Sequence, residues 1–222
     1  MKRIRITGSL VLGSILVMTG CAERNAPTAS RDQPGLAFAT GASLTSVITD
    51  PVGDVASKDP AWQDIVRSQI AERGGTFVFT MELADVVPAN PDAASGGAGV
   101  RAWLWGLDTD PETFPQGGVF PSGPGRARPF EFFVDLEWDG AQFSGLLYDL
   151  RPLLTGGQMV VTAVPFTIHE AEIDLSVAAS ALGDPSTFAW GAATCARHAH
   201  LGSEGFQCLD LAPDNSLATW PE

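Results

Sequence analysis

From Phe130 to Trp138 the chain alternates strictly. Phe130, Phe132, Val134, Leu136 and Trp138 fall on one parity, and Glu131, Phe133, Asp135 and Glu137 on the other. A side-chain period of two belongs to a strand with one face on a core, because successive Cβ atoms point to opposite sides of the pleat. Asp139-Gly140 follows, and then a second run from Gln142 to Asp149. Asp-Gly between two such runs predicts a hairpin, since tight hairpin turns need positive φ. A chain built on this pattern must bury one sheet face against another layer.

The same grammar recurs. Gly74-Gly75 separates Gln63–Arg73 from Thr76–Ala84, where Phe77, Phe79, Met81 and Leu83 share a face. This predicts a second hairpin. Val100 to Leu107 is apolar on both parities and reads as a buried central strand. Met159–Pro165, Thr167–Leu175 and Thr187–Ala193 are further strand candidates, and Ser176–Leu182, stopped by Gly183-Asp184-Pro185, is a short helix candidate. Short strands, frequent turns and at most one short helix predict an all-β fold, an antiparallel β-sandwich of immunoglobulin-like or jelly-roll-like type. Two Gly- and Pro-rich loops, Val87–Gly99 and Pro111–Pro129, interrupt it. Loops of that length in a compact domain carry function or move.

The first residues follow different rules. Lys2, Arg3 and Arg5 precede the apolar run Ser9–Met18, and Thr19-Gly20-Cys21 closes it. A positive start, a short apolar middle and small residues before a cut make a secretory signal. The run falls short of the about 20 residues a spanning helix needs. Met18-Thr19-Gly20-Cys21 resembles the bacterial lipobox, with Met in place of the usual Leu. That resemblance implies cleavage before Cys21, a lipid on Cys21, and attachment to a membrane. Ala22 rather than Asp after Cys21 resembles outer-membrane sorting where a cell has two membranes; otherwise the outer face of the cell membrane is implied. The expected organisation is a signal peptide over 1–20, a flexible tether over 21–43 rich in Pro, Gly, Ala and Thr, and one β-sandwich domain over 44–222.

Charge narrows the partners. With 13 basic and 26 acidic residues the net charge is −13, and loss of Lys2, Arg3 and Arg5 makes the remaining chain more acidic still. Nucleic acid binding needs the opposite sign. Acidity suits solubility or cation binding. Of three cysteines, Cys195 and Cys208 remain after Cys21. In an oxidising compartment they form a disulfide. The competing reading is a zinc site of Cys195, His198, His200 and Cys208.

Nucleophile elbows, zinc-protease helices, phosphate loops and dinucleotide fingerprints are absent from the sequence, and the expectation is a non-enzyme. Glu131, Asp135 and Glu137 share a strand face, and Asp135 and Glu137 are spaced for glycoside hydrolysis, where two carboxyls flank the scissile bond; the plainer reading is a solvated outer face. A second acidic set lies in loops. Asp50 and Asp54 flank Pro51-Val52-Gly53, Asp64 precedes a strand, and Asp108 and Asp110 leave the central one. Loop aspartates suit Ca²⁺, and they also cap turns. Asp50, Asp54, Asp108 and Asp110 are the candidate calcium ligands.

Asp50, Gly53, Asp54, Asp64, Ile65, Phe77, Phe79, Leu107, Asp108 and Asp110 together resemble, over residues 46–193, the extracellular sandwiches that include DOMON domains and family-nine carbohydrate-binding modules. The resemblance implies binding of a sugar, or of haem through Met and His. Met81 and His169 are the available pair for haem. Trp103 and Trp105 share a face and are the candidate sugar platform, though apolar neighbours on both sides read as core. The leading expectation is a lipid-anchored, non-catalytic envelope module binding a glycan or other extracellular ligand. The alternatives are a structural or assembly lipoprotein with no small ligand, and a glycoside hydrolase using Asp135 and Glu137; the expected partners are the membrane, through the lipid on Cys21, and a glycan or an envelope protein.

Overall fold

The computed structural model describes residues 44–55, 59–95, 99–110, 112, 120–122, 126–128, 130–198, 207–214 and 216–221. The expected signal peptide over 1–20, Cys21 and the expected tether over 21–43 lie outside the described residues, as do His200 and much of the loop from Pro111 to Pro129.

Residues Gly41–Glu222 form one compact unit, an antiparallel sandwich. In chain order its strands are β1 (Leu44–Thr49), β2 (Ile65–Arg73), β3 (Thr76–Leu83), β4 (Gly99–Asp108), β5 (Phe120–Ser122), β6 (Arg126–Arg128), β7 (Phe132–Trp138), β8 (Phe143–Asp149), β9 (Val160–Ala163), β10 (Phe166–His169), β11 (Glu172–Ala178), β12 (Phe188–His198), β13 (Gln207–Ala212) and β14 (Ala218–Trp220). One sheet runs β1-β2-β3-β11-β10. The other runs β13-β12-β4-β7-β8-β9, with β14 also on β12, and β5 and β6 pair as a ribbon.

Gly74 and Gly75 both adopt positive φ and turn β2 into β3 in register Arg73↔Thr76, the two-residue turn the pattern predicts. The β7–β8 hairpin is looser. Trp138 pairs with Phe143, and the four intervening residues are held by the Asp139 carboxylate, which accepts from the Ala141 and Gln142 N–H groups at 2.8 and 2.9 Å. Two expectations change. Thr167–Leu175 is not one strand but most of the β10–β11 hairpin, turned at Glu170 with φ 57°. Ser176–Leu182 is mostly the end of β11 followed by a 3-10 turn at Ala179–Leu182, while the one α-helix among the described residues, α1 (Pro91–Ser95), sits in the loop before β4.

The core lies between the sheets. Phe77, Phe79, Met81, Ile173 and Leu175 face Trp103, Trp105, Val134, Leu136 and Trp190. Indole N–H groups tie the layers together. Trp105 donates to Ser68 Oγ at 2.8 Å and Trp190 to Ser46 Oγ at 3.0 Å, each from the larger sheet to the smaller. The outer face of the larger sheet is covered in part as well. Ala102, Leu104, Ala193 and Cys195 form a second apolar cluster there. Phe130 lies so close over Gly106 that a Cβ would come within 2.6 Å of its ring, so that position excludes any larger residue.

Candidate cation site

The acidic site is assembled from three separated stretches. β1 ends at Thr49, and the Asp50 N–H donates to the Val66 carbonyl at 3.0 Å. The chain then turns through Pro51-Val52-Gly53. Gly53 has φ +89°, a conformation that side chains resist, and its N–H donates to Asp64 Oδ2 at 2.7 Å. Asp64 closes a 3-10 turn at the mouth of β2 and is 2% exposed. The third stretch is β13 with its following turn. Asp210 is 6% exposed and accepts from the N–H of Ile65 at 2.6 Å and of Leu211 at 2.8 Å. The bond to Ile65 joins the edge strand of one sheet to the first residue of β2 in the other.

These folds bring five carboxylates together. One oxygen from each of Asp50, Asp54 and Asp214 lies within 4.8 Å of the others, and the same holds for Asp54, Asp64 and Asp210. Asp54 belongs to both sets. Opposite ligands around a Ca²⁺ at its usual bond lengths are about 4.6–5.2 Å apart, so each set has the span of one ion. Asp64 Oδ1 and Asp50 Oδ2 are buried and accept no hydrogen bond, a costly state for a carboxylate oxygen. The electrostatics agree. Burial, then the charges of Asp210, Asp54, Asp214 and Asp64, lift the Asp50 carboxyl to about 7. Burial lifts Asp210 to about 6 against the pull of its two backbone donors, with Asp54 and Asp64 adding to the rise. Burial likewise raises Asp54. Clustered carboxylates that hold protons this tightly are relieved by a cation among them.

The candidate calcium set is therefore divided. Asp50 and Asp54 join this cluster, whereas Asp108 and Asp110 sit elsewhere. Asp108 is in register with Ala189 of β12, and Asp210 with Thr194. Five residues along a strand at about 3.3 Å each separate the two by roughly 17 Å. Asp108 instead neighbours Glu131, and burial with the charges of Glu131 and Asp110 raises its carboxyl to about 6. Glu131 Oε2 accepts from the Thr109 N–H at 2.7 Å, and Asp110 Oδ1 accepts from the Glu112 N–H at 3.0 Å, a turn-capping role. Asp210 and Asp214 carry no loop motif that marks them. Alternation with Leu209 and Leu211 reads Asp210 as solvent-facing, and its burial follows only from where β13 packs.

The other candidate residues are placed as follows. Cys195 and Cys208 are bonded to each other across the β12–β13 ladder, so neither offers the thiolate a zinc site requires. Trp103 and Trp105 are fully buried, and Trp62, Trp138, Trp190 and Trp220 also lie in the core. Met81 faces the core, while His169 pairs with Glu172 on the opposite face of the smaller sheet; the two cannot sandwich a haem. Asp135 and Glu137 share the outer face of β7, but that face is not simply solvated. Asp135 is 5% exposed, and the Tyr148 hydroxyl donates to Glu137 Oε2 at 3.3 Å.

No protein-family model matches the chain, and no curated protein matches it.

Proposed function

We propose that this chain is a lipid-anchored, non-catalytic module of the cell envelope whose extracellular ligand is a divalent cation, Ca²⁺ by preference. The observation that carries the reading is the pair of carboxylate sets that meet at Asp54, Asp50 with Asp214 on one side and Asp64 with Asp210 on the other, each set holding one buried oxygen without a hydrogen bond, Asp50 Oδ2 and Asp64 Oδ1. Among the described residues, every charge that shifts Asp50 is negative. A flexible set of carboxylates with no thiol or imidazole suits a hard, oxygen-seeking ion. The ion would fasten the loop after β1 and the mouth of β2 to β13, a cross-link between the sheets at the end where Asp210 already holds Ile65. The Met18–Cys21 motif supports the anchor. A glycan partner of this module would have to be held without tryptophan, since all six indoles lie in the core.

The test is thermal unfolding with and without calcium. An ion at a hundredfold excess over its dissociation constant stabilises the fold that binds it by about 2.7 kcal/mol. At roughly 2–4 °C per kcal/mol for a domain of this size, Ca²⁺ should raise Tm by about 5–10 °C. Asp54→Asn removes an exposed ligand common to both sets and should lose most of the gain. Asp110→Asn should keep it, and Mg²⁺ should stabilise less. Superimposable melting curves in chelator and in millimolar Ca²⁺ would refute the site. The anchor is tested separately, since Cys21→Ser should abolish acyl labelling.

A further inference from the structure

We propose that the β9 edge of the sandwich is a docking surface for a second copy of this chain. β9 ends the seven-stranded sheet and β10 ends the five-stranded one, so both sheets terminate on the same side, joined by Val164-Pro165. All four residues of β9 are exposed. Leu153, Leu154, Met159, Val160, Val161 and Phe166 are each between 37% and 50% exposed. Folded proteins usually guard such an edge with lysine, a proline within the strand or a bulge. Here the strand reads Val-Val-Thr-Ala, and residues 152–168 contain no charged side chain in a chain of net charge −13. The edge across the smaller sheet is treated differently, for Ser46 of β1 donates to the Thr219 carbonyl of β14 at 2.9 Å.

Three arguments select a second copy as the occupant. An antiparallel strand edge is self-complementary about a two-fold axis, because each copy offers the same alternation of N–H and C=O groups. Two acidic molecules repel over most of their surface and can approach closely where neither carries charge. The area is also sufficient. Six large side chains, each between a third and a half exposed, present on the order of 500 Å² per copy, so a pair that covers them all buries on the order of 1,000 Å², the threshold for a specific interface. This inference does not depend on the cation site.

Thr162→Cys in the full chain, in its native membrane and treated with a short bis-maleimide, should give a covalent dimer of twice the single-chain mass. Val86→Cys, at an exposed position in the loop after β3 (53% exposed), should give none. Adding Val161→Lys to Thr162→Cys should abolish the dimer while leaving the domain as resistant to proteolysis as its parent. The proposal is overturned if Thr162→Cys stays monomeric, if its adduct has the mass of another protein, if Val86→Cys couples equally well, or if Val161→Lys leaves the yield unchanged. A monomeric Thr162→Cys chain whose introduced thiol is shielded only when vesicles are present would also overturn it, and would assign the edge to lipid instead.

Discussion

Asp135 shows how far a single residue's chemistry is set by its cover. Its carboxyl lies on the outer face of β7, where burial pushes it well above the usual carboxylate range and the neighbouring charge of Glu137 pushes the same way. An unfolded aspartate titrates near 3.9. The folded group keeps its proton to higher pH, so stability falls as pH rises from about 3.9 through the folded value. Below that window the penalty is absent, and above it the penalty is complete. Asp135→Asn should therefore be more stable than its parent at pH 8, with the difference vanishing as pH 4 is approached. Urea midpoints across that range read this directly, and a pH-independent difference would contradict the assignment. The alternation of residues 130–138 places Asp135 on the outer face; it carries no sign that this face is covered. Leu104 and Phe133, which share that face, become neighbours only when β4 pairs with β7.

Elements are legible where a turn announces itself. Gly74-Gly75 and Asp139-Gly140 carry residues suited to positive φ, and both hairpins form where those residues stand. The β10–β11 turn places Glu170 at φ 57° with no glycine, asparagine or proline beside it, so the run through it reads as one strand. β13 escapes the sequence pattern for another reason. Its pairing with β12 is joined by the disulfide of Cys195 and Cys208, 13 residues apart in sequence, and its six residues, Gln207–Ala212, carry apolar side chains on both parities. That bond closes a loop worth about 3 kcal/mol by restricting the unfolded chain. Replacing both cysteines with alanine should lower Tm by roughly 6–12 °C at 2–4 °C per kcal/mol. Because Asp210 lies two residues beyond Cys208 on the same strand, the variant should also need more Ca²⁺ to reach half of its stabilisation. An unchanged calcium midpoint would mean that β13 holds Asp210 in place without the cross-link.

At the scale of the whole molecule the acidic site is only half legible. Asp50, Asp54 and Asp64 stand close in sequence, but Asp210 and Asp214 reach them only because β13 closes the larger sheet beside the mouth of β2. The same late stretch of chain supplies a core residue. Trp220 stacks on Phe188 with ring centroids 5.2 Å apart and meets Phe77 edge-on at 4.8 Å. It is 3% exposed. Trp220→Ala should cost about 3–5 kcal/mol, and a denaturant midpoint that moves by only a small fraction of this would show that the indole is not a core element. The position of this ring also sets a timetable. A chain threaded through a membrane from its amino end delivers β1 to β12 first, and until residue 220 follows, the gap beside Phe77 and Phe188 stays open. Folding governed by such distant partners is slow, and a half-delivered sandwich exposes apolar surface. On the proposed export, β14 would act as a latch: the domain would shut only after residue 220 had crossed.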